Sequence, residues 1–594
     1  MLETYLARHA RFSEEAARLR ARFEHLSMYR LISFVVGVAV VILAYAYLGL
    51  VVGFVATLIF LGAFSRFVAH HGRIDAARRH AEALALVNEH EAAVLRGDWS
   101  AFFDGKKYLD PGHPYALDLD IFGPHSFYQF ANRTATALGA DRLANWLANP
   151  TDAATVRARQ LAVADLSDRL DWRQHVQAHG MNLNDQTDDA RRIEEWLAEP
   201  DFVSNNALLK VAIWIAPFYA ALALYLAAVH VPAPLWVFLL LPPGFILYRT
   251  KAQVDRVHEL TERGGAILER YAGLIGQIEG ETFFAPLLVE LTARFRTGDR
   301  PPSRRLARLG YLIRQLNLRD NFFAIFFNLG SLWDLRHVWK LERWRADLRE
   351  ELPRWFGALA ELEALISFAT VRANRPDWTF PILHETEMFV AEQLGHPLLK
   401  PEKRVDNDFS TPTRGHIKLL TGSNMAGKST FLRAVGLNAV LARVGSVVCA
   451  RRMELPKLEV YTSMRTVDAL HEDTSSFYAE LKRLKFIIEA TEAGRPVYFL
   501  LDEILKGTNS RDRHRGSRAL IDQLIAARGA GIIATHDLEL GDLEAQSNGT
   551  VENWRIEVEI EDGELHFDYL LKRGVTQSFN ATELMRRMGI RVTG

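Results

Sequence analysis

The stretch Thr421-Gly-Ser-Asn-Met-Ala-Gly-Lys-Ser-Thr430 decides how the rest of the chain is read. It fits the pattern Gly-x4-Gly-Lys-Ser/Thr, in which a loop cradles phosphate oxygens with backbone N–H groups. Gly422 and Gly427 permit the turn, and Ser423, Asn424, Met425 and Ala426 fill it. Lys428 is placed to reach the β- and γ-phosphates, Ser429 to ligate Mg²⁺, and Thr430 to follow it on the loop. The run Phe431-Leu-Arg-Ala-Val435 then opens a helix whose positive end faces the phosphates. A nucleoside triphosphate is the expected ligand, with ATP and Mg²⁺ as the expected pair.

Working outward, the short apolar runs 417–420, 497–501 and 531–534 are separated by helical stretches, which predicts a largely parallel α/β sheet. The run Val497-Tyr-Phe-Leu-Leu501 ends in Asp502-Glu503, an acidic pair some 75 residues after the loop. Asp502 is expected to hold Mg²⁺, usually through water, and Glu503 to polarise the attacking water as general base. A third strand ends in Ala534-Thr-His536, from which an imidazole can sense the γ-phosphate.

The 594 residues are too many for one core and predict two to four domains. With 71 Lys plus Arg against 72 Asp plus Glu, net charge gives no general pull toward polyanions. The single cysteine, Cys449, excludes a disulfide framework and suits a reducing cytoplasm as a buried packing residue. Two stretches, 31–64 and 211–248, carry no Asp, Glu, Lys or Arg. Each is too long for one perpendicular crossing and about right for two short helices, so two hairpins are expected, turning near Gly49 and near Val231-Pro-Ala-Pro234. Arg18, Arg20, Arg22, Arg30, Arg66, Arg73, Arg78, Arg79, Lys210, Arg249 and Lys251 flank them. Those flanks place both termini and the phosphate loop in the cytoplasm of a multi-pass inner-membrane protein. The first stretch begins too far in, and lacks the small-residue cleavage site, for a removed signal peptide.

Residues 67–400 read mostly as helix, with apolar residues at three- and four-residue spacing over 77–95 and 341–368. Arg304, Arg305, Arg308, Arg314 and Arg319 make a basic run interleaved with Leu and Tyr. Such a run is a solvated helix face or a headgroup contact more often than a DNA contact. Trp333, Trp339, Trp344 and Trp355 are expected as packing or anchoring residues.

The run 421–433 with Asn-Met before the second glycine, then Leu441-Ala-Arg-Val-Gly-Ser-Val-Val-Cys-Ala450, Asp502-Glu-Ile-Leu-Lys-Gly-Thr508 and Ala534-Thr-His536, resembles the ATPase of the MutS mismatch-repair family. Leu394-Gly-His-Pro397 resembles that family's lead-in, with Gly395 where arginine is usual. Residues 361–369 and 136–147 are similar to parts of its lever and core. The resemblance implies an ATPase of the same broad class as transporter cassettes, working as a homodimer with shared sites. Residues 473–480 align with the signature whose serine end approaches the partner's nucleotide, which makes Ser475 and Ser476 candidates, although Glu472-Asp473 replaces the usual glycine. For adenine, Arg404-Val405 stands where the family has an aromatic and aliphatic pair, so stacking on the arginine plane is the expectation. A membrane hairpin occupies the place of the mismatch-reading and connector domains, and no Phe-x-Glu wedge is found near the start.

The expected architecture is multidomain: a mainly α-helical lever and core region with two transmembrane helical hairpins, then an α/β P-loop ATPase of the ABC type. The boundaries are 1–30 for a cytoplasmic helix, 31–66 for hairpin 1, 67–206 for the core-like region and 207–248 for hairpin 2. The lever region follows at 249–400, the ATPase at 401–576 and a helical dimerisation segment at 577–594. The function these point to is a membrane-anchored, dimeric MutS-like ATPase that moves helical levers, with DNA as the inherited target and an unidentified protein partner as a further expectation. The alternative is a membrane mechanoenzyme not acting on DNA. A transporter cassette is disfavoured by the missing Leu-Ser-Gly-Gly-Gln signature and the small number of crossings.

Overall fold

One residue separates the two longest helices of the protein. The structure, a computed structural model, describes residues 1–181, 195–262, 264–296, 300–320, 324–423, 426–465, 476–561 and 564–576. Helices Leu2–Leu48 and Leu50–Leu95 meet at Gly49, whose φ of 86° lies in the region L side chains rarely adopt. Their facing ends pack as an antiparallel pair and leave Leu31, Val36, Phe54 and Ile59 exposed. The second uncharged stretch forms helix Ala207–Ala228, a turn at 229–232, and the helical run Ala233–Thr261. Among the described residues, four helices are long and apolar enough to cross a membrane.

The charged ends of the first pair are tied into the helical body through buried polar groups. Tyr5 Oη donates to Asn374 Oδ1 at 2.7 Å, and Asn374 Nδ2 donates to Glu91 Oε2 at 2.7 Å. Arg133 pairs with the same Glu91 carboxylate, both side chains being almost fully enclosed. Arg173 Nη1 donates to Thr370 Oγ1 at 2.6 Å. Tyr5 and Glu91 therefore fasten both long helices to helix Glu351–Asn374, whose last residue is Asn374. The periodic run 341–368 is not one helix: Trp333–Leu348 ends before Glu351–Asn374 begins, and Pro353 stands in the first turn of the second, where its missing N–H costs nothing.

Beyond Asn374 the chain turns to strands. Six of them, β4 (Ile417–Thr421), β6 (Glu459–Ser463), β7 (Val497–Asp502), β8 (Ala530–Thr535), β9 (Val551–Glu561) and β10 (Glu564–Arg573), form a sheet in the order β10-β9-β4-β8-β7-β6. Neighbours pair in parallel except β9 with β10, so the sheet is mixed, with one antiparallel edge strand. β4, β7 and β8 are buried at every position, as near-continuous apolar runs in a covered parallel sheet should be. A second sheet, β1 (Ile382–Leu383), β2 (Met388–Leu394), β3 (Asn407–Pro412) and β5 (Arg452–Leu455), has the order β1-β5-β2-β3 and draws strands from both sides of Pro401. Residues 113–120 of the helical region also lie on the α/β part. Asp118 accepts from Thr462 Oγ1 at 2.7 Å and from the N–H groups of Met464 and Arg465 at 3.1 and 3.0 Å.

Candidate functional site

Three adjacent parallel strands end together. The registers Thr421↔Thr535 and Asp502↔Ala534 place the loops after β4, β7 and β8 at one edge of the sheet, the usual position for ligands in open α/β folds. Gly427 has φ of 96° and is followed directly by helix Lys428–Val444. A Cβ on Gly427 would stand 2.8 Å from Tyr569 Cδ1, and one on Gly422 would stand 2.6 Å from the Ile556 carbonyl oxygen. Both glycines are thus required by close approach as well as by the turn.

Lys428 is buried, and burial pulls its ammonium down from the ordinary lysine range. Its Nζ donates to the carbonyls of Gly422 and Ser423 at 2.8 and 3.1 Å and lies 3.4 Å from His536 Nε2. Ser429 donates its hydroxyl to Asp502 Oδ2. The other oxygen of that carboxylate, Oδ1, is buried with no hydrogen-bond partner among the described residues. A buried, half-satisfied carboxylate beside a hydroxyl is a pair of hard oxygens of the kind that holds Mg²⁺.

Glu503 follows in a left-handed conformation, φ 52°, a strained backbone of the kind found at functional sites. Its N–H donates to the Ala534 carbonyl at 2.9 Å. Its carboxylate sits 2.7 Å from His536 Nε2 and 3.1 Å from Lys506 Nζ, and these contacts, the histidine's first, hold the carboxyl down to about 2. The loop is pinned from outside by Glu480, whose carboxylate accepts from the Leu505 N–H. Leu505 is also left-handed, at φ 60°.

These groups border a cavity of about 480 Å³, within the range that holds a drug-sized ligand. Gly427, Lys428, Ser429, Thr430 and Glu503 line it together with Val405 and Tyr569. Ser423 also borders it, and Ala426 is buried beside the loop, while Asn424 and Met425 lie outside the described residues. Arg404 does not face the cavity: its guanidinium is bound to Asp406 at 2.7 Å and to Asp377 at 3.5 Å, so its plane is committed elsewhere. Tyr569, on which the sequence gives no hint, lines it with an aromatic ring, as does Phe431. It is delivered by an irregularity in β10 between Phe567 and Leu571, which Asn407 holds by bonding the Tyr569 carbonyl at 3.1 Å and the Leu571 N–H at 2.7 Å. No local signal in 564–573 announces this, because the clamp comes from β3. His396 lines the cavity as well, and burial pushes its imidazole down to about 4.

Ser475 and the segment 577–594 lie outside the described residues, and Ser476 is the first residue of helix Ser476–Glu492. Two arginines of the basic run along helix Pro302–Asn317 are committed internally, while Arg304, Arg308 and Arg314 are exposed. Arg305 pairs with Glu351 at 2.5 Å, and Arg319, just beyond the helix, pairs with Asp255 at 2.5 Å. Trp355 is fully buried and Trp344 stacks near Trp196, so these rings pack.

Fold and site together define a class: an α/β protein whose glycine-rich loop joins a central parallel strand to a helix, with acidic and imidazole groups on the neighbouring strand ends. Residues 418–589 match the family model described as MutS domain V. The curated relatives carry the name DNA mismatch repair protein MutS. That of Aquifex pyrophilus is 29% identical over 236 residues, 39% of this chain and 27% of the relative. That of Natronomonas pharaonis is 31% identical over 237 residues, again 39% and 27%. That of Cereibacter sphaeroides is 32% identical over 254 residues, 41% and 28%. The chain therefore spans little more than a quarter of the length of these relatives.

Proposed function

We propose that this protein is a membrane-anchored MutS-type ATPase that binds ATP with Mg²⁺ at the 421–430 loop, hydrolyses it as a homodimer and passes the cycle to its helical arms. The convergence of the β4, β7 and β8 ends on one cavity, with Ser429 on Asp502 and His536 on Glu503, carries this reading. Ser429 and Asp502 would hold the Mg²⁺, which supplies charge neutralisation at the phosphates. Lys428 would exchange the Gly422 and Ser423 carbonyls for phosphate oxygens. Val405 and Tyr569 are placed to take the base, Tyr569 by its ring face.

Glu503 acts as general base only once His536 and Lys506 have turned from its carboxylate to the phosphates, because a carboxyl held at about 2 accepts a proton poorly. Glu503→Gln should therefore keep ATP binding while hydrolysis falls by about 10²-fold or more. Binding of a fluorescent ATP analogue and phosphate release measure the two separately, and normal hydrolysis in the variant would remove Glu503 from the role.

DNA is the target that the relatives' name suggests. A second reading, a mechanoenzyme acting on the membrane or a protein partner, is favoured by the internal ion pairs of Arg305 and Arg319 and by the fastening of the hairpin arms to Asn374. Phosphate release by detergent-purified protein, with and without duplex, mismatched and branched DNA across salt concentrations, separates them. Binding or stimulation that weakens with salt supports DNA, and their absence at low salt excludes it.

A further inference from the structure

Helix Ala324–Ser331, Ala-Ile-Phe-Phe-Asn-Leu-Gly-Ser, holds no charged residue and is absorbed by neither the nucleotide site nor the four long apolar helices. Its sidedness is inverted for a helix in water. Ile325, Phe326 and Phe327 are 58%, 62% and 57% exposed, whereas its one amide, Asn328, is buried and accepts from the Asp334 N–H at 2.9 Å. The polar group is turned in and the aromatic groups are turned out.

Its neighbours fix its depth. A Cβ on Gly330 would be 3.8 Å from the Ala220 methyl, and one on Gly244 would be 3.9 Å from Leu329, so the helix lies between Ala207–Ala228 and Leu241–Thr261. On the first of these, charge stops at Ile213, whose carbonyl accepts from Arg336 Nη2 at 3.0 Å. On the second it stops at Arg249, two residues before Lys251. Seven residues separate Ile213 from Ala220, about 10 Å, and five separate Gly244 from Arg249, about 8 Å. Two independent rulers thus put the short helix about 8–10 Å past the last charges of those two helices. At about 12 Å it is too short to cross, and it turns back at once: Leu332 has φ of 48° and its N–H donates to the Asn328 carbonyl at 2.8 Å.

We propose that Ala324–Ser331 is a half-inserted membrane element whose Ile325, Phe326 and Phe327 face the acyl chains of the cytoplasmic leaflet. Phe218, Leu224 and Tyr225 on the adjacent long helix, itself long and apolar enough to span a membrane, are likewise exposed, which favours lipid over a separate protein partner. The inference rests on the reading of Ala207–Ala228 and Ala233–Thr261 as membrane spans.

The test uses the full chain in a Cys449→Ala background, reconstituted in phosphatidylcholine and phosphatidylglycerol vesicles. An environment-sensitive fluorophore is placed on Phe326→Cys, on Leu224→Cys in the long helix, or on the exposed Leu161→Cys of the helical body, and each variant is checked for ATP-analogue binding. Should Phe326→Cys fail that check, Ile325→Cys takes its place. Acyl-chain spin labels should quench positions 326 and 224 to within about twofold of each other, while iodide in the water quenches only position 161. Quenching of 326 by iodide, with 224 quenched by lipid, overturns the inference and leaves the spans standing. Protection of 326 from both quenchers means that a second copy or a protein covers it, and likewise overturns it. If lipid quenches neither 326 nor 224, the span reading itself has failed.

Discussion

Gly427 carries two constraints at once, a left-handed φ and the edge of the Tyr569 ring within 2.8 Å of any added Cβ. Gly427→Ala should weaken ATP binding about tenfold or more, and adding Tyr569→Ala should not restore it, because the second change relieves the contact but leaves the φ and removes the ring that would take the base. Titration with a fluorescent ATP analogue reads both. His396 makes a separate statement about pH. Its imidazole is held at about 4 against an ordinary 6.5, so the folded chain keeps it neutral while the unfolded chain protonates. The stability it contributes is full above about pH 6.5 and is lost as the pH falls toward about 4, a span worth about 1–3 kcal/mol. The pH dependence of the thermal midpoint should be shallower in His396→Gln across that window. That Asp502, Glu503 and His536 follow apolar runs, and that Ser429 closes the glycine-rich loop, could be read from the sequence; the contacts Ser429–Asp502 and Glu503–His536 depend on which strands are neighbours in the sheet. Tyr569 and the diversion of Arg404 could not. One depends on a clamp from a strand about 160 residues away, the other on ion pairs of a solvated loop.

Among the elements, the helix Glu351–Asn374 joins both ends of the molecule. Its Asn374 meets Tyr5 and Glu91 of the long pair, its Glu363 accepts from the Ala135 N–H at 2.8 Å, and the chain beyond it enters the sheets. Glu91→Ala leaves Arg133 buried without its partner and should cost about 3–5 kcal/mol. Glu24→Ala, which breaks an exposed pair with Arg20, should cost no more than about 0.5 kcal/mol. Thermal midpoints in detergent compare the two. The length of the two uncharged stretches, with turn residues at Gly49 and Val231-Pro-Ala-Pro234, made the helix pairs legible, since absence of charge and turn chemistry are local features. The break near residue 350 was not, because the apolar spacing runs on through it. The mixed sheet escaped for a similar reason: β10 pairs with β9 across residues 562–563, and its antiparallel sense is a matter of partners rather than of pattern.

At the scale of the molecule, two uncharged hairpins and an α/β site share one chain. The full protein should sediment with membranes and stay there through alkaline carbonate and high-salt washes, while detergent releases it with ATP binding intact. Release by salt alone would mean that only surface charge holds it. The helix pair joined at Gly49 sets a further geometric condition. Each member has 46 or 47 residues, about 70 Å, of which the uncharged third or so matches the hydrocarbon thickness. About 45 Å of each helix would then be left on the water side. Since Tyr5 and Glu91 bind that far end to Asn374, the pair is a strut of fixed length, and with its uncharged part in a bilayer it would set the stand-off between that bilayer and the body carrying the proposed nucleotide cavity. Lengthening both helices by one heptad within 16–30 and 67–80 would raise that body by about 10 Å, so anything it grips must lie within a layer above the membrane whose height is written in helix turns.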